Sequence, residues 1–115
     1  MIFGAIDTAS SGLSVYRTWM DAVSNNIANA DTNHTLPAGA TPFQEQLVEA
    51  QANDYSQSGG VGTGVHVAAI AAGDTEIDLG DQMSKMIMAQ RGYEANLAVV
   101  DRAKDAYQQA LTLGK

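Results

Sequence analysis

Apolar residues in the first quarter of the chain fall at Ile2, Ile6, Ala9, Leu13, Tyr16, Met20, Val23 and Ile27. Their steps alternate between four and three, the spacing of a coiled-coil seam, so residues 1–31 are predicted to form an N-terminal helical unit. A helix of about 25 residues at 1.5 Å per residue is roughly 40 Å long. Asp31-Thr32-Asn33, followed by Pro37, replaces helix formers with turn formers and ends it. Gly12, behind Ser10 and Ser11, stands inside this helix. Glycine there costs about 1 kcal/mol relative to alanine, so its presence points to close approach of another backbone.

The same seven-residue frame returns in residues 78–115, where Leu79, Met83, Met86, Tyr93, Leu97, Val100, Tyr107 and Leu111 fit it and Gln90 and Lys104 interrupt it. Asp78 is placed to cap the start, and Asp81 adds negative charge at the positive end of the helix dipole. The segment between, residues 32–77, reads differently. Residues 44–52 suit a short helical or extended piece, residues 56–64 are rich in Ser and Gly and read as a connector or turn, and residues 65–70 suit one arm of a small β-hairpin. The expected fold is therefore mainly α: two long terminal helices packed as a coiled-coil-like pair around a short irregular or hairpin centre.

Each helix offers more apolar surface than one partner can cover. Val15, Trp19 and Ala22 flank the first seam; Met88, Ala95, Val99, Ala106, Ala110 and Leu113 flank the second. A bare helix pair would leave these stripes wet, including a tryptophan whose burial is worth about 2 kcal/mol or more. They are read as contacts to other subunits. The alternative is that the central segment folds back over them, although it has few large apolar residues, chiefly Phe43, Leu47, Val48 and Tyr55.

Composition narrows the function. The 115 residues carry 13 acids against 6 bases, a net charge of −7, and residues 18–84 contain no lysine or arginine. Displacing counterions from a nucleic-acid backbone takes clustered cations, which this chain lacks. Without cysteine there is no disulfide, thiolate zinc site or thiol nucleophile. The apolar runs are too short to span a bilayer, and residues 1–5 lack the basic start and long apolar stretch of a cleaved secretory signal. The protein is expected to stay inside the cell or to leave by another route.

Candidate chemistry is thin. His34 stands in the turn after the first helix with no second ligand at metal spacing, and His66 lies in the expected strand with its side chain to solvent. Residues 59–64, Gly-Gly-Val-Gly-Thr-Gly, lack the flanking strand and helix of a phosphate loop and read as permissive turn backbone. Asp74, Glu76, Asp78 and Asp81 lack calcium-loop spacing and read as helix-start charge. More unusual is Asn25-Asn26-Ile27-Ala28-Asn29, three poor helix formers at a helix end. Asn25 and Asn29 share a face, so the cluster is either an amide contact across an interface or a fraying end.

Those asparagines, with Ala9-Ser10-Ser11-Gly12-Leu13-Ser14 and Met20-Asp21, resemble the N-terminal signature of the bacterial flagellar axial proteins, the family of rod, hook and hook-associated proteins. Residues 91–100, Arg-Gly-Tyr-Glu-Ala-Asn-Leu-Ala-Val-Val, with Ala103-Lys104 and the closing residues 110–115, are similar to the C-terminal signature of its rod members. Typical members carry a longer centre; here residues 69–78 join the two regions directly. The resemblance implies a structural subunit of the proximal rod, exported unfolded by the flagellar type III apparatus, with its terminal helices in the inner layers of the tube. Torque then passes through packed helices to the hook.

It also implies that Asn25, Asn26, Ile27, Asn29, Tyr93, Glu94 and Asn96 belong to the assembly contacts. The seam residues Ile6, Leu13, Tyr16, Met20, Val23, Leu79, Met83, Met86, Leu97, Val100, Tyr107 and Leu111, and Trp19 beside them, complete the expected interface. The implied partners are other rod proteins, further copies of the chain and the export apparatus. No cofactor, metal, nucleic acid, small-molecule substrate or membrane insertion is expected. Two other classes compete: a cytoplasmic acidic helical adaptor for a basic partner, and a small metal enzyme built on His34 or His66.

Overall fold

The computed structural model describes residues 2–54 and 64–114. Helix α1 spans Ile2–Ala28 and helix α2 spans Leu79–Leu113, joined through a 3-10 turn at Thr32–His34 and an antiparallel hairpin of β1, Gln46–Ala52, and β2, Val65–Ala72. The molecule measures 71 × 28 × 16 Å. Residues 44–52 thus resolve to a strand. The Ser/Gly-rich residues 56–63 lie outside the described residues, while Gly64 at their end has φ of +81°, a conformation that favours glycine.

Local chemistry sets the helix ends. Asp78 caps α2 by accepting from the backbone N–H groups of Gly80 (2.9 Å) and Asp81 (3.4 Å). At the other end Gly114 N–H bonds the Ala110 carbonyl (3.0 Å). On α1 the Asn25 carbonyl accepts from both the backbone (3.1 Å) and the side chain (2.8 Å) of Asn29, so Asn29 closes the helix on itself. Thr32 Oγ1 then donates to Asn29 Oδ1 (3.1 Å) and starts the turn.

The two helices run antiparallel, with Gly12 facing Asn96, Tyr16 facing Gly92 and Asn26 facing Gln82. The face that α2 turns inward is not the expected one. Gln82, Ala89 and Val100 are buried and Met86, Tyr93, Asn96 and Ala103 half-buried, a line that again steps by four and three. Of the expected seam Met86, Tyr93 and Val100 lie on it, and Tyr107, four residues after Ala103, continues it past the start of α1. Leu79, Met83, Leu97, Tyr107 and Leu111 are exposed, as are Gln90 and Lys104, whose interruptions therefore belong to an outer face.

Side-chain size explains the choice. A Cβ on Gly12 would strike the Asn96 amide, and one on Gly92 would strike the Tyr16 ring. At these two positions the helices approach too closely for a larger side chain between them. Gly12 does mark a close approach, but its neighbour is a side chain rather than a backbone. The buried apolar residues among those described are accordingly small: Ala9, Ala22, Val23, Ala89 and Val100.

Helix α1 is the middle element. The hairpin packs along its second stripe, and among the described residues neither strand packs on α2. Val65 N–H donates to Ser11 Oγ (3.0 Å), which itself donates to the Thr8 carbonyl (2.6 Å). Ala22 is buried and Val15 and Trp19 half-buried on this side. A register shift between Glu49 and Ala50 puts a bulge into the hairpin, which increases its local twist.

Two asparagine amides hold the central segment by its main chain. Asn26, 1% exposed, accepts from Gln46 N–H (2.8 Å) and donates to the Gln46 carbonyl (3.0 Å) and to Gln82 Oε1 (3.0 Å). Gln82, also 1% exposed, donates to Glu45 Oε1 (2.6 Å), which also accepts from Lys85 (3.0 Å). Asn33 repeats the device on Phe43: it accepts from Phe43 N–H (2.7 Å) and donates to the carbonyls of Phe43 (2.8 Å) and Thr75 (2.7 Å). Among the described residues no buried side-chain nitrogen or oxygen lacks a partner.

Lys85 also pairs with Asp81 (3.0 Å). Its hydrogen bond to Glu45 raises its pKa above the ordinary lysine value, partial burial opposes this, and Asp81 adds to it. A cation held in this way contributes to stability at all pH values below its unfolded pKa, and the contribution fades only as the pH climbs through the raised value. Near neutrality Lys85 therefore keeps its charge.

Asn26→Ala strands the Gln46 main chain and the Gln82 amide. It is expected to cost about 2–4 kcal/mol in urea unfolding followed by circular dichroism, against under about 0.5 kcal/mol for the exposed Asn25→Ala. Gly92→Val is expected to cost about 1–3 kcal/mol in the same measurement by driving Tyr16 out of its slot. Equal midpoints for Asn26→Ala and Asn25→Ala would remove the amide from its structural role.

Candidate assembly surface

Because α1 takes both the hairpin and α2, α2 is left with two bare flanks. Leu79, Met83, Ile87 and Leu97 are exposed on one side of the inward line; Met88, Val99 and Leu113 are exposed on the other, with Ala95, Ala106 and Ala110 between them. Covering by the central segment therefore occurs on α1, and on α2 the segment reaches only Gln82 and Lys85 through Glu45, not the apolar flanks. Leu97 is 40% exposed and Leu113 87%. Apolar residues ranked along one long helix at this exposure mark a surface for another protein.

The helices are also unequal. Continuing the facing pairs 12/96, 16/92 and 26/82 brings the start of α1 level with residue 106, so residues 107–113 of α2 run past it. This overhang holds Tyr107, Leu111 and Leu113. A cleft of about 480 Å³ opens where the hairpin meets the helices, lined by Val15, Tyr16, Trp19, Val48, Ala50, Val65 and Asn96 among others. Tyr16 and Trp19 stack in it with ring centroids 6.0 Å apart.

The residues expected at an interface divide into three sets. Val23, Asn26 and Val100 are buried within one chain, so their contacts are made inside the subunit. Asn26 was expected at an assembly contact, but all of its polar atoms are used by Gln46 and Gln82. Ile6, Leu13, Tyr16, Trp19, Met20, Ile27, Asn29, Met86, Tyr93 and Asn96 are half-buried around the seam, with Arg17 donating to the Tyr93 hydroxyl (3.3 Å). Asn25, Leu79, Met83, Glu94, Leu97, Tyr107 and Leu111 are exposed.

Pattern reading missed Gln82, Glu45, Gln46 and Asn33. The available signal was a polar Gln82 four residues before Met86 and seven before Ala89 on a helical line of otherwise small or apolar residues.

Charge follows the same asymmetry. The turn end of the molecule carries Asp31, Glu45, Asp74, Glu76, Asp78 and Asp81, with Lys85 bonded to two of them. Asp78 and Asp81 serve as helix cap and ion-pair partner, and Asp74 supplies a carbonyl to Glu45 N–H (2.8 Å). His34 is exposed in the 3-10 turn; His66 Nδ1 lies 2.6 Å from Asn53 Oδ1 on the hairpin surface. Among the described residues no three His, Asp or Glu side chains gather as a metal site, and no helix is long and apolar enough to cross a membrane.

Comparison with known proteins agrees with this geometry. Residues 6–33 match the family described as flagella basal body rod protein, and residues 76–113 match the flagellar basal body rod FlgEFG protein C-terminal family. The two matches fall on α1 and α2. The chain is 30% identical over 148 residues to the flagellar basal-body rod protein FlgC of Borreliella burgdorferi, covering 97% of each chain. It is 25% identical over 147 residues to that of Bacillus subtilis, covering 98% of each. It is also 44% identical over 39 residues to that of Borrelia hermsii, a match covering 34% of this chain and 66% of the relative. The first two alignments are longer than the chain, so those relatives carry residues that it lacks. Near-complete coverage at this identity, with both helices matched separately, leaves neither the cytoplasmic adaptor nor the metal enzyme: the chain belongs to the flagellar basal-body rod protein family and is a structural subunit of the rod rather than an enzyme.

Proposed function

We propose that this subunit builds the proximal part of the rod, with the bare flanks of α2 covered by neighbouring rod subunits. The observation that carries this reading is the row of exposed apolar side chains on α2, which no described residue covers. The chain assembles with other rod proteins. In the proposal Leu79, Met83, Leu97, Tyr107 and Leu111 meet those neighbours directly, while Asn25, Asn29 and Glu94 supply polar contacts at the rim. Ordering a 35-residue helix costs conformational entropy, and apolar area supplied by neighbours offsets that cost.

Torque then passes through packed helices, because close-packed interiors transmit strain with little compression. Export fits the same economy of design. The residues that are fully buried in the described chain are few, and with no cysteine there is no covalent cross-link to undo before passage through the flagellar type III apparatus.

Leu97→Asp and Ile27→Asp are expected to abolish swimming in soft agar and to leave basal bodies without a completed rod, since an unpaired carboxylate buried at an interface costs several kcal/mol. Leu97 is already 40% exposed in the single chain, so Leu97→Asp should leave the secreted or purified subunit as helical as before. Gln108→Glu, on an exposed polar position of the same helix, should swim normally. A double mutant of Leu97 and Ile27 that swims at normal speed would refute the reading.

A further inference from the structure

We infer that the Asn26–Gln82 amide pair is the positioning contact that fixes the register of the two helices, and through it the length of the α2 overhang. The rest of the seam discriminates poorly between registers. Its inward residues are mostly small, Ala9, Gly12 and Val23 on α1 and Ala89, Gly92 and Val100 on α2, and both lines repeat every seven residues. Sliding α1 by one heptad brings small residues opposite one another: Val23 meets Gly92 in one direction and Ala9 meets Gly92 in the other. In one direction Gly12 comes opposite Ala103, Asn26 opposite Ala89, and the start of α1 reaches the end of α2, removing the overhang. In the other direction Gly12 comes opposite Ala89 and Asn26 passes beyond the start of α2.

Only the amides have a single acceptable partner. Asn26 and Gln82 are both 1% exposed, and their mutual bond is 3.0 Å. In each slipped register one of the two stays in the seam with its polar atoms unpaired, Asn26 against Ala89 or Gln82 against Trp19, and close packing makes that unfavourable. A fully buried polar pair in a helix seam acts in this way on register and partner choice, whereas Asn96, the other amide on the inward line, is only half-buried. Tyr16 against Gly92 is a second size-matched contact, but Tyr16 is only half-buried and can turn its ring outward. The bonds from Asn26 to the Gln46 main chain attach the hairpin to the same point, so strand and helices come into register together.

The chain has no cysteine, so introduced pairs report register without background. The Asn96 Cγ lies 3.3 Å from where a Gly12 Cβ would stand, within reach of a disulfide. The full-length chain carrying Gly12→Cys with Asn96→Cys, or Gly12→Cys and Asn96→Ala, which makes room for the new side chain, with Ala103→Cys or Ala89→Cys, is oxidised both as purified protein and in isolated basal bodies, and the linked peptides are quantified by mass spectrometry. The wild-type seam is expected to give the 12/96 link alone. Asn26→Leu with Gln82→Leu, an apolar pair of similar size, is expected to raise the 12/103 or the 12/89 link about tenfold or more.

Exchanging the amides, Asn26→Gln with Gln82→Asn, keeps their combined reach and removes the clamp on Gln46, and is expected to restore 12/96 alone. A leucine pair that still gives only 12/96 overturns the proposal, as does a wild-type seam that links 12/103 freely. An amide exchange that slips like the leucine pair overturns it in favour of the hairpin clamp. Gly12→Cys with the exposed Arg102→Cys reports unfolding. If the leucine pair scores positive there, the amide exchange decides alone.

Discussion

One buried side-chain amide holds this subunit together. Asn26 is a poor helix former in a position where alanine or leucine would give a better helix, yet it is the point where α1, β1 and α2 meet. Its carbonyl oxygen and amine satisfy both main-chain groups of Gln46 and the side chain of Gln82, and Gln82 passes the bonding on to Glu45 and Lys85. A fully paired polar network of this sort is favourable, and a half-paired one is worse than none. The three segments therefore order together. With only small apolar residues fully buried, the chain depends on such directional bonds more than a larger domain would.

The second consequence is architectural. By placing the hairpin on one side of α1 and α2 on the other, the fold uses up the apolar surface of α1 and leaves that of α2 open. A 16 Å thickness is too thin to cover a 35-residue helix from all sides. In a rod subunit that shortfall is useful: the surface that would destabilise a free molecule becomes cohesive once neighbours are present. The acidic turn end and the apolar overhang lie at opposite ends of the molecule, which gives the subunit a direction along its length.

Much of this was readable along the chain. Both long helices, the Asp78 cap, the hairpin arm at residues 65–70 and the excess of apolar helical surface follow from spacing and local chemistry. The identity of the inward face of α2 was not. Leu79, Met83 and Leu97 make a stronger hydrophobic line than Gln82, Ala89 and Asn96, so a rule that counts apolar residues selects the wrong side. The asparagine run was recognisable as unusual, but Asn25 and Asn29, which share a face, drew attention away from Asn26.

Sequence by itself determined where helices begin and end, because those choices rest on residues three or four positions apart: Asp78 with Gly80 and Asp81, Asn25 with Asn29, the four-three spacing of apolar side chains. The family signatures at both ends are local in the same sense. Only the tertiary structure decided which stripe is shared with the hairpin, which face of α2 stays bare and what Asn26 bonds. Those outcomes depend on partners 20 and 56 residues away, and on whether Gly12 and Gly92 let two backbones come close enough for small side chains to outcompete large ones.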